Sequence, residues 1–327
     1  MIGGLLVAAL AAMAFLRMRR QEDPELCAGL AQRRIVRVYL APGAHVNCPG
    51  VANQAPTEAL RAALDGTDAG QLAALLRAEK GAALALEPRP AAPGLAGRLG
   101  ALEHIPGLRA LALAPERALV APQHEPDLTL RERDALAYVA RALLHGAREP
   151  ALGSFPPALR RVERVEVMVL LRERGEPRLW RSARGTSIAR ALLTAARVAR
   201  DRWREREAAM GGPLARRLLD LDVEVSLLSE DGVLLSRDAS FVDRVITARH
   251  GIGFEYKSGW HYLLPDDVPR RGHGSAQRAL LALLNDQGLN PAVLGESALR
   301  LYRFVALTLG VSKAPLTGSE SVPPPPG

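Results

Sequence analysis

The sequence predicts an α+β chain in which a small α/β module precedes a larger α+β domain, both behind an N-terminal transmembrane helix. Three observations predict it. Ile2 to Leu16 is an unbroken apolar run rich in Leu, Ala and Gly, followed at once by Arg17, Arg19 and Arg20. Between Arg34 and Ala121, short strand-like runs alternate with short helical segments. From Leu130 onward, two long segments of helical period stand among alternating runs that read as separate strands and a hairpin.

The first of these gives the expected membrane anchor. Fifteen residues of helix span roughly 22 Å, short of the ~30 Å hydrocarbon core, and flanking arginines can snorkel to cover the mismatch. A secretory signal carries its positive charge before the apolar stretch, whereas here the charge follows it. Pro24-Glu25-Leu26-Cys27 is too polar and too far downstream for a lipoprotein cleavage site. The positive-inside rule then keeps the rest of the chain in the cytoplasm, as a membrane protein with a single N-terminal span. The alternatives are an atypical signal peptide with a periplasmic soluble part, or a true start at Met13 or Met18.

The module over 21–126 reads as follows. Arg34 to Leu40 is a strand ended by Pro42-Gly43, and Thr57–Leu64 and Ala69–Glu79 are short helices. Ala82–Leu86 is a strand, Pro88–Gly94 a Pro-rich break and Leu95–Leu102 another helix. Leu108–Ala114 and Ala118–Ala121 are strands around Pro115-Glu116. No glycine-rich phosphate loop follows any of these strands, so the module has no assigned chemistry.

The domain over 127–312 opens with Thr129 before a helix from Leu130 to His145. Glu132 stands three residues after the cap, as a capping box requires. Arg164–Arg172 is strand-like, Arg174-Gly175-Glu176-Pro177 a turn, and Leu179–Arg181 resumes a strand before a loop at Ser182–Thr186. Ser187 to about Glu207 is a long helix with Ile188, Leu192, Ala195, Ala199 and Trp203 on one face. Leu221–Leu228 alternates as a half-buried strand, and Ile252–Tyr256 with Trp260–Leu264 forms a hairpin. Ala276–Gln287 is a helix stopped by Gly288, and Ser297–Thr308 is a strand or a helix. Residues 313–327, ending in four prolines, read as a disordered tail.

Composition narrows the partners. Hydrophobic residues at 48% and charged residues at 24% fit a globular chain, and aromatics at 4% leave its core to Leu, Val and Ala. The formal net charge of +8 invites a nucleic-acid reading. Lys80, Lys257 and Lys313 are the sole lysines, however, and the Arg, Ala, Gly and Pro excess looks like GC-rich codon drift rather than a built basic patch. Nucleic acid is therefore argued against as the main partner. Cys27 and Cys48 have no metal-ligand spacing; they pair in an oxidising setting and remain two thiols in a reducing one.

Several words of the second domain, in order, resemble the AMMECR-one domain family. They are LTLRERDALAYVARALL, Val165–Leu171 with RERGEPRLW, LDLDVEVSLLS, RHGIGFEYKSGWHYLLP and ALLALLNDQGL, together covering roughly 180 residues. The resemblance implies an α+β fold around an antiparallel sheet. The family's association with Memo-type and radical-SAM partners implies a modification reaction. Its signature loop, L-R-G-C-I-G-T, falls on Trp180-Arg181-Ser182-Ala183-Arg184-Gly185-Thr186, with Ala183 in place of the cysteine. Alanine supplies no nucleophile, ligand or redox centre, which excludes thiol chemistry at that position.

The loop keeps a physical reading of its own. Arg181 and Arg184 precede a helix N-terminus capped by Gly185, Thr186 and Ser187. Free N–H groups there favour an anion, and arginine adds bidentate recognition of carboxylate or phosphate. Arg190, Arg197, Arg200 and Arg204 form a basic stripe, solvated or resting on anionic lipid. His250, His261 and His273 lie eleven and twelve residues apart, without short ligand-pair spacing, so no metal is expected. No cofactor motif is present either. The expected function is a membrane-anchored AMMECR-one-like protein, either non-catalytic or binding an anionic small ligand or peptide at Arg181, Arg184, Gly185, Thr186 and Ser187. The alternatives are a cysteine-independent enzyme using the same cleft, and an interaction scaffold whose Pro-rich tail binds a protein partner.

Overall fold

The computed structural model describes residues 24–40, 44–65, 69–86, 95–103, 105, 107–123, 126–162, 165–210, 220–257 and 259–313. In chain order the elements are α1 (Pro24–Gln32), β1 (Arg37–Tyr39), β2 (Ala52–Gln54), α2 (Glu58–Asp65), α3 (Ala69–Ala78), β3 (Ala82–Leu86), α4 (Leu95–Glu103), β4 (Leu108–Ala114) and β5 (Arg117–Pro122). There follow α5 (Leu130–Leu144), α6 (Pro157–Arg160), β6 (Val165–Glu173), β7 (Glu176–Gly185), α7 (Ile188–Met210) and β8 (Asp222–Leu234). The last are α8 (Ala239–Val245), β9 (His250–Tyr256), β10 (Gly259–Leu263), α9 (Asp267–Gly272), α10 (Ala276–Asp286) and β11 (Arg300–Ser312).

Two compact units result, and neither is contiguous in sequence. One takes the chain up to Glu125 together with Glu230–Phe304, and the other takes Pro126–Ser229 with Val305 onward. The segment expected as one domain, 127–312, is thus shared between them, because the boundaries fall inside β8 and β11 rather than in linkers.

In the first unit β1 pairs in parallel with both β2 and β3; β3 and β4 pair antiparallel with β5. β4 pairs in parallel with the end of β8 through Ala112↔Val233 and Leu113↔Leu234. β9 and β10 form an antiparallel hairpin beside β11. All five residues of β3 are buried because both faces are covered. Ala82, Leu84 and Leu86 join a core with Leu60, Leu76, Phe254 and Leu280, while Ala83 and Ala85 face Leu26 and Leu30 of α1. Cys27 on α1 is disulfide-bonded to Cys48 in the β1–β2 connection, which resolves the open alternative for these two residues.

The second unit is built on β6, antiparallel to both β7 and β8. Thr129 and Glu132 make the expected reciprocal capping box at the start of α5. The β6–β7 turn places Arg174 and Gly175 at φ 51° and 85°, the left-handed pair that a tight hairpin favours. Val167, Val169 and Leu171 then alternate onto Leu136 and Ala140 of α5 and Leu192, Ala195 and Ala199 of α7.

Two expectations are corrected. Among the described residues the chain is mixed α/β, with eleven strands paired mostly antiparallel, rather than the expected α+β. Among the described residues no helix is long and apolar enough to cross a membrane, so the transmembrane helix and the membrane location are not supported. The apolar run 2–16 that prompted them lies outside the described residues, as does the tail 314–327. Ser297–Thr308, read as strand or helix, is strand β11, and β8 runs six residues beyond the expected Leu228, to Leu234.

Candidate functional site

The segment expected as a loop before the long helix is strand as far as Gly185. That changes what its arginines can do together. Arg181 lies opposite Val169 and Arg184 opposite Glu166, so residues three apart on one strand project from opposite faces. Arg184 Nε donates to Glu166 Oε2 at 3.2 Å, and Ser182 Oγ donates to Oε1 of the same carboxylate at 2.7 Å. Gly185 closes on the first turn of α7, where a Cβ would meet the Ala191 nitrogen at 2.6 Å. Ser187 is buried and caps α7, its Oγ accepting from the Arg190 N–H at 3.3 Å; Thr186 is exposed.

Arg181 is on the α7 side. Its Nη1 donates to the Trp180 carbonyl at 2.7 Å, with Arg202 and Glu205 of α7 nearby. Arg202 is fourteen residues beyond Ile188, roughly 20 Å along the helix axis, so Arg181 meets the body of α7 rather than its N-terminus. Burial, and then the Arg202 charge, lower the Arg181 pKa, with Glu205 opposing. Glu205 is already held by Arg202 at 2.6 Å. The five expected residues therefore separate into Arg181 against α7, Arg184 on Glu166, and Gly185–Ser187 at the helix cap. Arg190, Arg197 and Arg204 of the basic stripe are exposed, and Arg200 pairs with Asp201 at 3.1 Å.

A second polar constellation lies in the first unit, and sequence reading singled out only its histidine. Asp231 of β8 is 1% exposed, His250 of β9 0% and Arg303 of β11 1%. Asp231 Oδ1 accepts from the Ala110 N–H at 2.9 Å and Oδ2 lies 2.9 Å from His250 Nε2. His250 Nδ1 accepts from the Thr247 N–H at 3.1 Å, which assigns the ring proton to Nε2 and makes His250 the donor to Asp231. Arg303 donates from Nε to the Asp231 carbonyl and from Nη1 to the Val245 carbonyl, each at 2.6 Å. Arg303 and Arg249 also each bring an Nη2 within 3.4 Å of Oδ2. Burial raises the Asp231 pKa, but the His250 hydrogen bond, the Arg303 charge and the Ala110 N–H outweigh it and hold it at about 2. Beside this cluster a small cavity of ≈ 10 Å³, bordered by Leu108, Arg109 and Val120, has room for about one water molecule. Buried at Asp231, His250 and Arg303, the node ties β4, β8, β9 and β11 together.

The other histidines play local parts. His261 stacks on Phe254 at 4.8 Å, and burial lowers its pKa. His273 is the left-handed C-cap of α9. Among the described residues no group of three His, Cys, Asp or Glu could hold a metal ion. The signal that could have found Asp231 is a charged pair, Glu230-Asp231, prolonging an alternating strand instead of ending it.

No family model matches the chain, and no curated protein matches it. Among solved structures, an uncharacterized protein, PH0010 from Pyrococcus horikoshii, is similar over 58% of this chain and 99% of its own, at 19% identity and a TM-score of 0.41.

Proposed function

We propose that this chain is a non-catalytic, AMMECR-one-like binding protein that takes an anionic group, carboxylate or phosphate, between Arg181 and Arg202. Arg181 carries the reading. Its guanidinium is half-buried beside a second guanidinium, it donates to the Trp180 carbonyl, and Glu205, the acid that acts on it through its charge, is already hydrogen-bonded to Arg202. Two neighbouring cations with one shared acid, Glu205, are best balanced by a further anion held bidentately. Ala183, where the family pattern has cysteine, packs against the α7 core and offers no nucleophile. Acid–base chemistry at Asp231 and His250 is closed off by burial, so binding is preferred over the cysteine-independent enzyme.

Thermal melts with inorganic phosphate and with citrate test this. Ligand at about ten times its Kd stabilises by about 1.4 kcal/mol, a rise of a few degrees in Tm. The rise should vanish in Arg181→Ala and shrink in Arg202→Ala. An undiminished rise in the double variant would overturn the proposal.

A further inference from the structure

The strand that bears Arg181 is an edge. Among the described residues β7 pairs with β6 and with no other strand, and it is ten residues long. A strand edge of that length invites pairing with another chain unless it is blunted. One end of β7 is blunted. Pro177 stands there, the register skips Arg178, and Arg206 Nη1 donates to the Arg178 carbonyl at 2.9 Å. From Leu179 to Gly185 the register is unbroken, opposite Leu171 to Val165. Along this stretch the device is a side chain: Arg181 folds back onto the Trp180 carbonyl. A guanidinium clip of this kind is released by rotamer changes, whereas a bulge or a proline is permanent.

Charge says what would release it. Arg178 pairs with Glu173, Arg184 with Glu166 and Arg202 with Glu205. Among the described residues, Arg181 and Arg206 donate to the Trp180 and Arg178 carbonyls. The edge is thus basic at the two guanidiniums that occupy its backbone.

We propose that the Leu179–Gly185 edge of β7 accepts an extended acidic segment of a partner protein as an added strand. The incoming N–H replaces Arg181 on the Trp180 carbonyl, and the released guanidinium takes a carboxylate of the same segment. This deepens the anion reading at Arg181 and rests on it, with the free anion as a mimic of the peptide carboxylate.

The test uses the full chain and a fluorescent octapeptide of alternating Glu and Val, followed by anisotropy. Two further peptides separate the contributions: the same sequence with alternate amides N-methylated, and a Lys-for-Glu version. The expected result is binding of the Glu peptide, weakened about tenfold or more by N-methylation or by Arg181→Ala, and none of the Lys peptide. Equal binding of the methylated peptide would overturn strand addition and leave charge attraction alone. If phosphate stabilises the protein through Arg181 while no acidic peptide binds, the edge proposal fails and the anion site survives. If neither binds, both fail.

Discussion

Gly253 shows how far a single residue is decided by its neighbours. It lies in β9, where a Cβ would overlap the Tyr302 ring of β11; at Gly251 a Cβ would overlap Phe304 in the same way. Those rings pack in a tilted and edge-on chain, Trp260 with Tyr302 at 5.6 Å and Tyr262 with Phe304 at 5.8 Å. Neither glycine needs a positive φ, so its role is room rather than backbone freedom. Alanine usually gains about 0.5–1 kcal/mol over glycine inside a helix or strand. At Gly253 the sign reverses: Gly253→Ala should destabilise by about 1–3 kcal/mol in urea melts, the cost of overpacking. Gly100 in α4, with open space where its Cβ would stand, should show the ordinary sign when changed to Ala. The hairpin RHGIGFEYKSGWHYLLP was legible as a hairpin, but the reason for its glycines was not. That reason is a neighbour some fifty residues away, set by β11 lying beside β9.

Elements were legible where local chemistry decides them. Thr129 with Glu132 and Arg174 with Gly175 need no distant partner, and both formed as read. β8 was read as ending at Leu228, whereas the charges of Glu230 and Asp231 are carried within the strand by Arg300 and by His250 with Arg303. Ser182–Thr186 looked like a loop, yet pairing with β6 holds it extended to Gly185, and this extension parts Arg181 from Arg184. α1 raises the opposite case, an element held from outside. It covers one face of β3 and β4 with Leu26 and Leu30, and Cys27 ties it to the β1–β2 connection across a sequence separation of 21. That connection is itself pinned, Asn53 bonding both the N–H and the carbonyl of Val46. A loop of this size constrains the unfolded chain by about 3 kcal/mol. Reductant should therefore lower Tm, and the Cys27→Ser, Cys48→Ser variant should melt low with or without it. Thiol titration finding two free cysteines in the native, unreduced protein would refute the pairing.

At the scale of the whole molecule, the division into units was hidden because the chain changes unit in mid-strand, at Ser229–Glu230 and at Phe304–Val305. No linker composition marks either place. Just beyond the first of them stands Asp231, whose bonds reach Ala110, His250, Arg249 and Arg303 within the first unit. Its carboxyl titrates near 3.8 when unfolded and at about 2 when folded. Because the folded value is the lower one, the stabilisation is fully present above the unfolded pKa and is lost as pH falls through about 2. The difference amounts to about 2 kcal/mol. Asp231→Asn removes the charge and faces Arg303 and Arg249 with a neutral amide, leaving buried positive charge uncompensated at a cost of about 3–5 kcal/mol. Urea midpoints measured between pH 5 and pH 2 should then fall further for the native chain than for the variant, by about 2 kcal/mol. Should the variant fail to fold, a carboxyl carbon titration of Asp231 by NMR in the native chain gives the same answer directly. A midpoint near 4 there would mean that the two arginines, the His250 N–H and the Ala110 amide do not hold the charge, and the node would be packing alone.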